Sequence, residues 1–203
     1  MTEEHVKKHM ILASASPRRR EILCGMGARF EVLSTDADES CDITDPAALT
    51  MELARRKAEA ALDCLAKDGK DKGAVIISAD TVVACGGEIL GKPRDKEDAW
   101  RMLRMLSGNT HTVTTGIAVS CDGVTQTDCS VTSVRVDTIP DSEIAKYIES
   151  GDPFDKAGAY GIQGRFSQWV SGIDGCYFGV VGLPTNKLAA LFHKCVGCYP
   201  DEI

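Results

Sequence analysis

The sequence predicts an α/β protein with a mixed sheet and flanking helices. Short apolar runs alternate with helix-like stretches through the first half, as β-α units do. The run Ala74-Val75-Ile76-Ile77-Ser78-Ala79 is apolar without alternation, which marks a strand covered on both faces. Two long β-prone stretches, 110–121 and 124–139, are joined by Asp122-Gly123, a dipeptide suited to the positive φ values of a tight hairpin. Parallel β-α units beside an antiparallel hairpin make the sheet mixed.

The elements follow in chain order. Residues 10–13 form a first strand. Ser16 suits a helix N-cap and Pro17 the first helical position, so a helix runs through Ile22 and Leu23 to the stop signals Gly25 and Gly27. Residues 29–33 form a second strand, and 34–45 an acidic loop. A helix over 46–66 places Leu49, Leu53, Ala54 and Ala58 on one side. Residues 67–73 form a charged surface loop, and 74–79 a strand ending in Asp80. Residues 81–85 continue extended to a turn at Gly86-Gly87. Asp95 caps a helix over 95–106 that Ser107-Gly108-Asn109 ends. After the hairpin come a helix over 140–150, a glycine-rich segment over 158–164, strands over 166–170 and 176–181, and a last helix over 184–195.

Size and charge narrow the function. At about 150 residues per domain, 203 residues make a single domain over 1–203, with the motif-bearing part at 10–195. A chain of this size buries about 70% of its unfolded surface and needs no staples. Apolar residues make up 43% of it and the mean hydropathy is −0.10, ordinary for a globular protein. Asp and Glu outnumber Lys and Arg by 30 to 23, a net charge of −7 that argues against wrapping a nucleic acid polymer. No apolar run reaches the roughly 20 residues that span a bilayer. The polar stretch 1–9 lacks the apolar core of a signal peptide, so a cytoplasmic location is expected. Nine scattered cysteines then read mostly as small buried hydrophobes. Cys195-x-x-Cys198 lies near His193 but lacks a second ligand pair, so free thiols are the reading ahead of zinc. The histidines at 5, 9, 111 and 193 show no metal spacing.

Five constellations can carry chemistry. In Ser14-Ala15-Ser16-Pro17-Arg18-Arg19-Arg20, three cations crowd a helix N-terminus, where they oppose the macrodipole by about 0.3–1 kcal/mol each. A phosphate there reverses the sign, with serine hydroxyls and backbone N–H groups as further donors. The alternative is that Arg20 and a neighbour point to solvent or pair with carboxylates. Asp80, directly after a buried run, is costly if it points inward unpaired. It serves either as metal ligand or general base, or as an exposed strand end. Lys57, Lys92 and Lys156 could line the same cleft at the carboxyl ends of the strands, where Ser14 and Asp80 would lie. Spacing alone fits a solvated helix position for Lys57 as well. Glu39, in the acidic loop, could supply a second carboxylate for a divalent cation, although most of that loop reads as solvated. In 155–164 three glycines permit close backbone approach, Gln163 can read a base edge with one amide, and Tyr160 could stack or sit in the core. No P-loop, dinucleotide fingerprint or nucleophile elbow occurs.

Leu12-Ala13-Ser14-Ala15-Ser16-Pro17-Arg18-Arg19, Ala79-Asp80-Thr81-Val82-Val83, Leu90-Gly91-Lys92-Pro93, the stretch 99–116 and the stretch 155–164 stand in one order over nearly the whole chain. In that order they resemble the Maf family of nucleoside triphosphate pyrophosphatases. The resemblance implies a mixed α/β fold with a central cleft between two lobes, related to the inosine triphosphate pyrophosphatases. It implies hydrolysis of a nucleoside triphosphate to monophosphate and pyrophosphate with Mg²⁺ or Mn²⁺, and it allows a homodimer. It makes Asp80 the base and a metal ligand, with Glu39 the best match for a second metal carboxylate and Lys92 beside them at the reacting centre. Ser14, Ser16, Arg18, Arg19, Lys57 and Lys156 would hold the substrate. Arg18, Thr81 and Gln163 would set specificity, and their pattern resembles the branch acting on dTTP and UTP. The alternatives are an N7-methyl-GTP pyrophosphatase and a non-enzymatic nucleotide-binding regulator of cell division. The loop 67–72 looks like an insertion, and the tail past Cys195 has no counterpart in the family.

Overall fold

The computed structural model describes residues 8–203 and sets seven strands in one sheet: β1 (His9–Leu12), β2 (Phe30–Val32), β3 (Ala74–Cys85), β4 (Glu88–Leu90), β5 (Thr110–Cys121), β6 (Val124–Val136) and β7 (Val170–Asp174). The helices are α1 (Pro17–Gly25), α2 (Pro46–Lys67), α3 (Lys96–Leu106), α4 (Asp141–Glu149), α5 (Tyr177–Val181) and α6 (Thr185–Val196). The reading of 1–9 as lacking an apolar core concerns residues that lie, up to Lys7, outside the described ones, as does His5. Among the described residues no helix is long and apolar enough to cross a membrane.

The strand order is β2-β1-β3-β5-β6-β7, with β4 paired to the far end of β3. β1 runs parallel to β2 and β3, and every other pairing is antiparallel, so the sheet is mixed as expected. Asp122 and Gly123 take φ of 50° and 78° at the hairpin, which an aspartate tolerates and a residue without a Cβ adopts freely.

The two faces are covered unequally. Among the described residues one carries α2 as its only helix, through Ala54, Ala58, Ala61 and Leu65 against Ile11, Ala13, Ala74, Ile76 and Ala118. Small residues on that helix let it lie close. Gly116 faces it, and a Cβ there would overlap the backbone of Thr50 and Met51. Ser78, fully buried, donates its hydroxyl to Ala54 O at 2.5 Å and fixes the height of the helix over the sheet. The other face carries α1, α3, α4, α5 and α6 over Val75, Ile77, Ile117 and Val119.

Five readings are corrected. Residues 166–170 are not a strand: Arg165–Trp169 is a 3₁₀ turn, and β7 begins at Val170. Its aromatic residues pack with Tyr147 and Tyr160 rather than pairing edge to edge. The stretch 176–181 is helical, because Cys176 caps it by accepting the Gly179 N–H. The cysteines are not mostly buried hydrophobes: only Cys85 and Cys121 are buried, and Cys24 and Cys64 are exposed. β4, three residues long, was not foreseen, because it falls below what alternation can reveal. Finally, Asp80 does not end a strand. It stands in the middle of the twelve-residue β3, paired with Gly116 of β5.

Candidate active site

A gap in the pairing of β3 creates the site. β1 pairs with β3 as far as Ile77, with Ala13 N donating to Ile77 O at 2.7 Å, and β4 pairs only from Val83 on. Between them, residues 78–82 run along an opening, and a cavity of about 710 Å³ fills it. That is within the usual range for a small-molecule site. Because successive strand residues face opposite ways, Asp80 turns toward α2 while Thr81 turns toward α1 and α5. The cavity reaches both.

All eleven residues named from the sequence line this one cavity: Ser14, Ser16, Arg18, Arg19, Glu39, Lys57, Asp80, Thr81, Lys92, Lys156 and Gln163. On the α2 side, Lys57 Nζ lies 2.5 Å from Asp80 Oδ1 and 2.8 Å from Glu39 Oε1. The side chains of Lys57 and Asp80 are only 15% and 13% exposed, so the pair is largely removed from water; Glu39 is 63% exposed. The hydrogen bond from Lys57 holds the Glu39 carboxyl below its ordinary range, against some burial and with help from the charges of Lys57, Lys92 and Arg19. Among the described residues, Asp80 Oδ2 accepts no hydrogen bond and Lys92 makes no ion pair.

On the other side, α1 opens with Ser16 as its cap and Pro17 in its first turn. Arg19 is held by three acceptors: Gly182 O at 2.9 Å from Nε, Ser14 Oγ at 3.2 Å from Nη1, and Thr81 Oγ1 at 3.1 Å from Nη2. Burial pushes its pKa down from the ordinary value while the charges of Asp80 and Glu39 pull it up. Ser14 Oγ also accepts the Ser16 N–H at 3.2 Å, which leaves its hydroxyl hydrogen for a ligand. Arg18 pairs with Asp155 Oδ2 at 3.3 Å, and Arg20 is exposed.

The third wall is the loop 155–164. Gly158 takes φ of 68° against Val83, and its N–H donates to Gly91 O at 3.0 Å, tying the loop to the turn that carries Lys92. Lys156 lines the cavity, but its three N–H donors are all engaged, with Asp152 O, Asp152 Oδ1 and Asp155 Oδ1 at 2.5, 3.0 and 2.6 Å. Burial pushes the Asp155 carboxyl up, but Lys156 and Arg18 outweigh it and hold it below its usual value. The sequence reading assigned no role to Asp152 or Asp155, although both stand within four residues of Lys156. Gln163 is exposed at the cavity rim, and Tyr160 is a core residue with one edge on the cavity.

The cleft thus joins two carboxylates, an arginine-bearing helix start and a glycine-rich loop. The model of the family described as Maf-like protein matches residues 9–195. The chain belongs to the Maf family. It is 47% identical over 175 residues to the dTTP/UTP pyrophosphatase of Thermococcus kodakarensis, covering 86% of this chain and 90% of that one. Its identity to the dTTP/UTP pyrophosphatase of Alkaliphilus metalliredigens is 46% over 190 residues, covering 92% and 96%. With that of Chromobacterium violaceum it is 47% over 181 residues, covering 89% and 91%. The Maf match stops at Cys195, as the unmatched tail implied, and the loop 67–72 contributes nothing to the cavity wall.

Proposed function

We propose that this chain hydrolyses pyrimidine nucleoside triphosphates, dTTP and UTP, to the monophosphate and pyrophosphate. The observation that carries the reading is the convergence, in one cavity, of the Asp80–Lys57–Glu39 cluster with the arginine-bearing start of α1. The names of the relatives supply the substrate.

The chain's own groups divide the work by charge. The N–H groups at the start of α1, the Ser14 hydroxyl, Arg18, Arg19 and Lys92 hold the triphosphate. Arg18 exchanges the Asp155 carboxylate for a phosphate oxygen as the substrate enters. Asp80, with Oδ1 on Lys57, takes the proton of the attacking water at Oδ2. Arg19 and Lys92 stabilise the charge that develops on the leaving pyrophosphate. At the rim, the Gln163 amide offers one donor and one acceptor. That matches the adjacent carbonyl and N–H of uracil and thymine; cytosine, with an amino group beside an unprotonated ring nitrogen on that edge, presents the reverse order.

A divalent cation belongs to this reading. Asp80 Oδ1 and Glu39 Oε1 already share one cation, the Lys57 ammonium, so the two hard carboxylates stand on the same side of the cleft. Mg²⁺ and Mn²⁺ are held by one or two carboxylates together with substrate phosphates, so the pair fits such an ion. When bound there, it supplies charge neutralisation on the phosphate oxygens. A cytoplasmic location also belongs to the reading, supported by nine free cysteines.

Incubation with Mg²⁺ and single nucleoside triphosphates, with pyrophosphate assayed against orthophosphate, tests the function. Pyrophosphate from dTTP and UTP is the expected product. Turnover of N7-methyl-GTP alone would keep the chemistry and overturn the roles of Arg18, Thr81 and Gln163. Binding without turnover would leave a nucleotide-binding regulator.

A further inference from the structure

We propose that Thr115 is a positioning residue for this reaction: its hydroxyl sets the hydrogen-bond direction of Thr81 and, through Thr81, the orientation of the Arg19 guanidinium in the cleft. The inference rests on the function proposed above and adds to it a residue that lies outside the cavity wall.

Thr115 is fully buried on β5, directly opposite Thr81 on β3, and both side chains leave the sheet on the face away from α2. Their Oγ1 atoms are 2.8 Å apart, and Thr115 Oγ1 is 2.8 Å from Gly179 O. A carbonyl oxygen only accepts, so the single hydroxyl hydrogen of Thr115 lies in the bond to Gly179. Thr81 must then donate to Thr115. Toward Arg19, whose Nη2 donates at 3.1 Å, Thr81 can only accept. The chain therefore has one direction, from Arg19 through Thr81 and Thr115 to Gly179.

Both ends of this chain are anchored in and just after the five-residue α5. Gly179 O receives Thr115, and Gly182 O receives Arg19 Nε at 2.9 Å. A guanidinium is planar and has five N–H groups. Gly182, Ser14 and Thr81 take three, and the remaining two are what Arg19 can offer a phosphate. Because the group is rigid, fixing three donors fixes the other two. Without the Thr115 hydroxyl, Gly179 O loses this donor and the Thr81 hydrogen loses its acceptor. Thr81 is then free to turn its hydrogen toward Arg19, where donor would face donor.

The test compares Thr115→Val, Thr115→Ser and Thr132→Val with wild type, by UTP kinetics and thermal unfolding. Thr132 serves as the structural control: it anchors the start of α5 through Cys176 N and Cys176 O at 3.0 and 3.3 Å but lies off the chain to Arg19. Thr115→Val should lower kcat about tenfold and raise KM, because Arg19 holds the triphosphate in the ground state as well as in the transition state. Thr115→Ser should restore kcat, and Thr132→Val should lower Tm while leaving kcat near wild type. Wild-type kcat in Thr115→Val, no rescue by serine, or an equal kcat loss in Thr132→Val would each overturn the proposal. If wild type turns over no nucleotide, the functional reading fails separately, and calorimetric binding of inorganic triphosphate decides the inference. Weaker binding by Thr115→Val supports it; equal binding, or none by wild type, overturns it.

Discussion

Lys57 on α2 reaches Asp80 on β3 at 2.5 Å because the helix lies close enough to the sheet to cross the gap with one side chain. Three features set that height: the alanines at 54, 58 and 61, the bond from Ser78 to Ala54 O, and Gly116. Gly116→Ala would push its Cβ into the backbone of Thr50 and Met51 and lift the helix. Overpacking of this kind costs about 1–3 kcal/mol. The variant should lose several degrees of Tm and much of its kcat together, read by calorimetry and steady-state kinetics. Wild-type activity with a lowered Tm would separate the helix height from the Lys57–Asp80 geometry.

Two lysines of the cavity should behave differently. Lys156 has all its donors on Asp152 and Asp155, whereas Lys92 makes no ion pair among the described residues. Lys156→Met should therefore destabilise the fold by about 1–2 kcal/mol, a value held down by the partial exposure of its acidic partners. Lys92→Met should leave Tm unchanged, raise KM for the triphosphate about tenfold and lower kcat as well, since Lys92 both holds the phosphates and stabilises the leaving pyrophosphate. Denaturation midpoints and KM values for the two variants check this, and the reverse pattern would exchange their roles.

Gln163 is exposed at the rim and makes no bond within the protein among the described residues. Gln163→Ala should leave stability within about 0.5 kcal/mol, as surface substitutions do. It should instead narrow the ratio of kcat/KM for UTP over CTP, whose base reverses donor and acceptor on that edge. An unchanged ratio would remove Gln163 from base recognition.

His111 carries the clearest pH dependence. It is buried, its Nε2 lies 2.7 Å from the Tyr160 hydroxyl, and its Nδ1 has no partner among the described residues. Burial pushes its pKa down to about 4 from 6.5. Between these values the unfolded chain binds a proton that the folded chain refuses. Stability is therefore complete above pH 6.5 and falls as the pH drops toward 4, by about 3 kcal/mol in total. His111→Gln should flatten that segment of the urea-midpoint profile. An equally steep profile in the variant would assign the dependence to other groups.

How much could be read from the sequence depended on the distance over which each feature is specified. Ser16, Pro17 and Asp95 announce helix starts within a turn, and Asp122-Gly123 announces its hairpin; all were legible and all hold. The stretch 176–181 was misread because a short apolar run bounded by turn signals has no distinguishing period. Only the Cys176 cap decides it. Asp80 was recognised but placed at a strand end, since its pairing with Gly116 is set by β5, more than thirty residues on. Thr115 lies in the stretch 99–116 that carries the resemblance but was given no role, because its partners, Thr81 and Gly179, are 34 and 64 residues away. Lys156 did leave a local signal. Asp152 and Asp155 precede it by four residues and by one, and the i,i+4 spacing favours an ion pair.

Asp80→Asn tests the central claim most directly, because the amide keeps the shape of the carboxylate but cannot take the proton. The variant should fold with an unchanged circular dichroism spectrum, still bind UTP, and lose kcat by about 10²–10⁴-fold, the contribution of a general base. A folded Asp80→Asn protein that releases pyrophosphate from UTP at the wild-type rate would contradict the account.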